Sequence, residues 1–268
     1  MDRTINSIDV DPKAAQDSIP LAETVALEAY ERLYAESTKP LQVPVLKIGE
    51  IRDEKGDVLL SSLPGNDKLT RLYMEGRKSI GKIYGDDNSV GTGFFIDKDG
   101  LFATDFHVVE FDSDKVIDVR TDDGKLHQAT MVASDQNNDL ALFKVEKLDK
   151  NEEFHAVKLA PFDASVAGQE FVSCGFGVDD ELHCSPGIYD SSIQQKDIKL
   201  KDTAPYLDPE RKLAHLKQNT EHGDSGGLEF ASDGTVRLLV DMTDGKRHTL
   251  ATPAQYLIAL RDQYLKTS

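Results

Sequence analysis

From about residue 70 onward the chain is a succession of short runs rich in β-branched or aromatic residues: KIYG, TGFFID, LFATDF, VIDVRT, QATMVAS, LALFKV, EFVSCGF, IYDSSI and VRLLVDM. Gly, Asp and Asn punctuate them at intervals of roughly ten residues, which is the spacing of strands in a barrel or sandwich and not of alternating β and α units. A chain of 268 residues is long for an average domain, yet all-β barrels reach this size as one. The expectation is an all-β domain over residues 69–268, preceded by an extension over residues 1–68.

Both ends break the strand pattern. Residues 18–37, SIPLAETVALEAYERLYAES, read as an amphipathic helix: Pro20 suits its first turn, and Leu21, Val25, Ala29 and Leu33 recur every fourth residue. Lys39-Pro40 ends it. At the other end Thr252-Pro253-Ala254-Gln255 offers an N-cap, a proline at the first helical position and a glutamine to close a capping box. Leu257, Leu260, Tyr264 and Leu265 supply an apolar stripe, so a C-terminal helix is expected to pack on the strands.

Charge narrows the partners. The formal net charge is −17, with acidic residues scattered throughout, so the surface repels phosphate backbones and anionic lipid alike. Proteins or peptides are the expected partners, with no nucleic acid and no membrane insertion; no run approaches the ~18 apolar residues that span a bilayer. The N-terminus has no apolar core for a secretion signal, which places the chain as written in the cytoplasm, or outside it if a signal was removed. Cys174 and Cys184 are too few for a disulfide framework and lack metal-site spacing. They read as two buried free thiols, with a bond across a hairpin as the alternative, and neither a metal nor another cofactor is expected.

Three short stretches carry the chemistry. Gly223-Asp224-Ser225-Gly226-Gly227 sets one serine among small residues, either as a turn of no consequence or as a backbone shaped around a reactive hydroxyl. Serine acyl transfer needs a hydroxyl on a sharp turn, an imidazole to take its proton, a carboxylate to fix the ring's tautomer, and N–H donors for the oxyanion. His107 in GLFATDFHVVE stands where a strand gives way to a turn, and Asp139 in DQNNDLALFKV opens a strand. Alone, a histidine before Val-Val or an aspartate in an Asn-rich turn says little. Together, in the order His, Asp, Ser and each beside an expected strand, they leave the bland reading little room.

VGTGFFIDKDGLFATDFHVVE closely resembles the stretch around the catalytic histidine in HtrA-type serine proteases of the chymotrypsin clan. NNDLALFKV is similar to the clan's strand after the aspartate, and GDSGG to its nucleophile signature. The likeness covers roughly residues 78–260 and implies two orthogonal six-stranded β-barrels with a cleft between them. It implies a triad of His107, Asp139 and Ser225, and an oxyanion hole from the N–H groups of Gly223, Asp224 and Ser225. Asn219 and Thr220 would line the wall of the primary specificity pocket, and Thr243 the strand that pairs with substrate. No carboxylate falls at the pocket base, although Asp241 and Asp244 near the cleft strand could attract cations.

Departures from the clan are specific. Leu228 stands where proline usually follows GDSGG, no PDZ-like domain is expected after the terminal helix, and QQKDIKLKDTAPYLDPERK (residues 194–212) is a longer, more charged loop than the compact members carry, either a lid or a plain insertion. Arg77-Lys78-Ser79-Ile80-Gly81 superficially resembles a maturation site but lies too close to GTGFF to serve as one. The leading expectation is a serine endopeptidase; the alternatives are an idle protease fold that binds partners and a hydrolase acting on esters.

Overall fold

The computed structural model describes residues 50–52, 58–60, 67–84, 90–110, 115–177, 182–198, 204–243 and 248–267. The helix expected over residues 18–37, and Asp244 near the cleft strand, lie outside the described residues. Strands β1 (Glu50–Arg52) and β2 (Val58–Leu60) form a small antiparallel pair. A helix, α1 (Asp67–Ser79), follows where the sequence raised no expectation of one. It is mostly polar; among its residues whose side chains are described Leu72, Gly76 and Ser79 are buried, while Arg77 and Lys78 sit favourably at its negative C-terminal end.

Two closed barrels make up the rest. The first comprises β3 (Ile80–Tyr84), β4 (Val90–Phe95), β5 (Leu101–Asp105), β6 (Val116–Thr121), β7 (Leu126–Asp135) and β8 (Leu140–Val145), closed in the order β3-β4-β5-β8-β7-β6. The second comprises β9 (Glu170–Phe176), β10 (Leu182–Gln194), β11 (Lys212–Gln218), β12 (Leu228–Ala231), β13 (Val236–Thr243) and β14 (His248–Pro253), in the order β10-β11-β14-β13-β12-β9. Closure leaves neither sheet with an edge to template aggregation. These are the two six-stranded barrels that the chymotrypsin-clan resemblance implies.

Each barrel has its own core, with Phe95, Phe102 and Phe143 filling the first and Phe171, Leu216 and Leu238 the second. A third apolar cluster runs between them. Phe94, Leu101, Leu140 and Leu142 from the first barrel meet Cys174, Leu228 and Leu239 from the second. This seam fixes the two barrels against each other and so fixes any site assembled from both. Ile80 is fully buried at the start of β3 and pairs with Phe94, so a terminus freed at that position would have to leave the barrel.

Two expectations about side chains are corrected. Cys174 and Cys184 are not free thiols: they face each other in register across β9 and β10 and form a disulfide. The sequence separation is 10, and closing a loop that short restricts the unfolded chain by about 2–3 kcal/mol. Cys184→Ser should therefore lose about 2–3 kcal/mol of unfolding free energy in denaturant titration, with wild type falling to the same level under reductant.

The second correction concerns α2 (Ala254–Thr267), the C-terminal helix. Leu257 and Leu260 are buried in the shared cluster as expected, and Tyr264 packs against it, but Leu265 is 55 % exposed. The capping box does not form. Thr252 Oγ1 donates to the buried Asp241 carboxylate at 2.7 Å, and Gln255 Oε1 accepts from Phe162 N–H at 3.0 Å. A charge-assisted hydrogen bond is the stronger one, so the threonine hydroxyl turns as a donor toward the buried carboxylate and its oxygen does not cap the helix N–H groups.

Candidate active site

Strand pairing brings His107 and Asp139 together. β5 and β8 run antiparallel with Asp105 opposite Leu140, so the residue before Leu140 lies beside the turn after Asp105. That turn, Phe106–Val108, carries His107. Asp139 ends the preceding turn in the left-handed region (φ 59°, ψ 45°), which aspartate and asparagine tolerate better than most side chains. Its Oδ1 accepts from the His107 backbone N–H at 2.8 Å and its Oδ2 lies 2.7 Å from His107 Nδ1. An ionised carboxylate only accepts, so Nδ1 carries the proton and Nε2 is left for chemistry. Asp139 is buried, whereas the histidine side chain remains 33 % exposed.

The loop that carries Ser225 joins β11 to β12 and is tied to both barrels. Thr92 of β4 donates its N–H to Ser225 O at 2.9 Å and its hydroxyl to Gly223 O at 2.7 Å. The same hydroxyl accepts from Phe176 N–H at 2.8 Å. Gly226 N–H meets both Asp105 Oδ2 and Val240 O at 2.8 Å. Gly223 and Gly226 have φ of 97° and 80°, and a Cβ on either would run into backbone: the Phe176 carbonyl in one case, the Thr92 carbonyl in the other. With their carbonyls tied back, Gly223 and Ser225 have N–H groups that meet no protein acceptor among the described residues. Asp224 N–H donates instead to Glu221 O at 3.2 Å. The Ser225 hydroxyl donates to the Asp241 main-chain carbonyl at 3.1 Å rather than to His107.

Acidic groups crowd this site. Burial opposes charge on His107, but the Asp139 hydrogen bond and the negative charges of Asp139, Asp105 and Asp241 hold its pKa up to about 10. Burial, then Asp139 and Asp241, push Asp105 well above the usual carboxylate range. Burial also raises Asp241, against the attraction of Arg211. Asp139 alone moves down: its hydrogen bond to His107 and the charges of His107 and Arg211 outweigh its burial.

The remaining expected positions differ in environment. Thr220 is buried, its hydroxyl 2.7 Å from that of Thr249, and Thr243 Oγ1 donates to Thr220 O at 3.1 Å. Asn219 is half-buried beside them and His222 is exposed. His215 and His248 stack with ring centroids 5.0 Å apart. Asp241 cannot draw cations into a pocket, because it is fully buried and already paired with Arg211. Sequence reasoning gave no role to Thr92, Asp105 or Arg211. Thr92 and Asp105 lay within the quoted motifs, and Arg211 within the charged loop, but only the fold shows what each touches.

Comparison with known proteins agrees with this geometry. Residues 91–237 match the trypsin-like peptidase domain. A probable periplasmic serine endoprotease DegP-like from Pseudomonas fulva (strain 12-X) is 32 % identical over 150 residues, 55 % of this chain and 28 % of that protein. The homologue of the same description from Marinomonas sp. (strain MWYL1) is 28 % identical over 179 residues, 65 % of this chain and 35 % of its own length. The chain thus spans about a third or less of these relatives. Among solved structures, that of the Rv3671c protease in its inactive form superposes with a TM-score of 0.60 at 21 % identity, over 72 % of this chain and 92 % of that one. The fold is therefore shared, and on the match over residues 91–237 the chain belongs to the trypsin-like peptidase family.

Proposed function

We propose that the protein is a serine endopeptidase that cleaves peptide bonds through Ser225, His107 and Asp139 and an acyl-enzyme intermediate. The observation that carries this reading is the His107–Asp139 pair at 2.7 Å facing a loop whose Gly223 and Ser225 N–H groups are unpartnered among the described residues. In molecules whose His107 ring is neutral, a fraction that grows as pH rises toward its pKa of about 10, the Ser225 hydroxyl turns from the Asp241 carbonyl to Nε2, gives up its proton and attacks the substrate carbonyl. The oxyanion takes the Gly223 and Ser225 N–H groups as donors, each worth about 3 kcal/mol in the transition state. His107 then protonates the leaving amine, and water attacking with His107 as base releases the acyl group. Asn219, Thr220 and Thr243 form the wall facing the side chain before the scissile bond, which is medium, small or polar in this reading.

The setting is extracytoplasmic. Disulfides such as Cys174–Cys184 persist in oxidising compartments, and the relatives are named as periplasmic. A second reading, an idle protease fold that binds partners, draws support from the Ser225 hydroxyl resting on main chain instead of His107. Labelling with a fluorophosphonate separates the two. Wild type is expected to label and Ser225→Ala to lose the label entirely, with casein cleavage lost in parallel. Absence of label on wild type would favour the binding fold, and labelling with ester but no casein cleavage would favour an esterase.

A further inference from the structure

The charged segment read from sequence as a lid or a plain insertion reaches both halves of the site through residues 204–211. Tyr206 meets the ring of Phe106, the neighbour of His107, edge-on at 5.3 Å. Asp208 N–H donates to Asn137 O at 3.0 Å, in the turn that presents Asp139. At the segment's end Arg211 is buried, its side chain 1 % exposed. Its Nε donates to Gln195 Oε1 at 2.8 Å and its Nη2 to Asp241 Oδ1 at 3.4 Å, while Nη1 lies 3.0 Å from Asp241 Oδ2.

Asp241 is unusual in its own right. It is the extra residue of a β-bulge in β13, where register slips between Val240 and Met242. Bulges re-aim side chains, and this one turns a carboxylate toward the site while its carbonyl receives the Ser225 hydroxyl. One Asp241 oxygen, one Asp139 oxygen and a ring nitrogen of His107 all lie within 4.8 Å of each other. An uncompensated second carboxylate there would compete with Asp139 for control of the ring.

We propose that Arg211 is a positioning residue of this site: paired with Asp241, it cancels that carboxylate's charge beside His107, leaving Asp139 to govern the ring, and it anchors residues 204–211 beneath the His107 and Asp139 turns. The inference rests on the peptidase reading for its kinetic consequence only. The groups facing His107 are Asp105 at the end of β5, Asp139 ahead of β8, Asp241 on β13 and Arg211 ahead of β11, with Glu110 and Tyr206 beyond Phe106 and Val108. Asp105 is fully buried, and burial pushes its carboxyl well above the usual carboxylate range. Three carboxylates thus act on the ring, and Arg211 is the cation paired with one of them, Asp241.

The test is a crossed pair of variants, Arg211→Met and Asp241→Asn, with the double variant, all in the full chain. The readouts are the His107 ring titration by NMR and the acid limb of kcat/KM against pH. Arg211→Met leaves a negative charge and should move both upward by about one unit or more. Asp241→Asn leaves a positive charge and should move both downward by a similar amount. The double variant, with no unpaired buried charge, should return to near the wild-type value, and Arg211→Lys should stay there. If a single variant fails to fold, the double variant still decides, since a limb displaced by a unit in it contradicts charge cancellation. Shifts of the same sign in both singles, or no shift in either, would reduce the pair to packing and overturn the proposal. Because ring titration needs no turnover, crossed NMR shifts without any hydrolysis would count against the peptidase reading and leave the pair standing.

Discussion

Asp139→Asn is expected to lower kcat by about 10⁴-fold while the fold survives. The left-handed backbone at φ 59° suits asparagine as well as aspartate, so the turn before β8 should keep its shape. The amide cannot reproduce the hydrogen bonding, however. Asp139 accepts twice from one residue, once from the His107 backbone N–H and once from ring Nδ1. Asparagine has a single acceptor oxygen. If that oxygen serves the backbone, its NH₂ group faces Nδ1 and forces the proton to Nε2, the atom that must receive the serine proton. If it serves the ring, an NH₂ group meets the His107 N–H and the turn is pushed apart. The check is the split between kcat and KM with a peptide substrate, alongside thermal unfolding. A loss of tenfold or less with an intact fold would mean that Asp139 does not hold the ring's tautomer.

Glu229→Gln should flatten the alkaline decline of stability. Glu229 follows Leu228 on β12 and is fully buried, and burial, helped by Asp224 against a hydrogen bond from Gln218, pushes its pKa up to about 8 from an ordinary 4.5. The folded protein then binds a proton that the unfolded chain releases. The stability contributed by that proton is complete below about pH 4.5 and is lost as pH rises through about 8. Between pH 5 and pH 8 wild type should lose on the order of 3 kcal/mol through this one group, and the glutamine variant should lose none of it. Taking the difference between the two pH values removes the fixed cost of the amide's own hydrogen bonding. Denaturant titrations of both proteins at pH 5 and pH 8 measure it. Parallel curves would mean that Glu229 is ionised in the folded state.

Local signals made the site's three principal residues visible in the sequence. His107, Asp139 and Ser225 each sit in a short motif whose shape follows from its own glycines, turn residues and adjoining strand. The alternation of strands and punctuation gave an all-β barrel or sandwich for the same reason, and the resemblance of the motifs supplied the two barrels. What stayed hidden depends on contacts between distant segments. Arg211 and Asp241 are 30 residues apart, and their pairing needs both a bulge in β13 and a charged loop folded inward. The disulfide was one of two readings open in the sequence, and the register of β9 against β10, which sets Cys174 opposite Cys184, decided it. Thr252 looked like a helix cap because its sequence neighbours say so, and Asp241, its true partner, lies on another strand. Helix α1 escaped notice because it is mostly polar and takes its apolar surroundings from elsewhere in the chain.

The order of strands in the second barrel bears on how such a chain is made. β14 lies between β11 and β13, so the barrel stays open until residues 248–253 arrive, although Ser225 was made more than twenty residues earlier. The carbonyl that holds the Ser225 hydroxyl belongs to β13, whose far side has no neighbour until then. During synthesis the loop that carries Ser225 emerges before the wall that shapes it. A nascent chain that already carries Ser225 therefore lacks the finished β13 wall around its hydroxyl until β14 has paired.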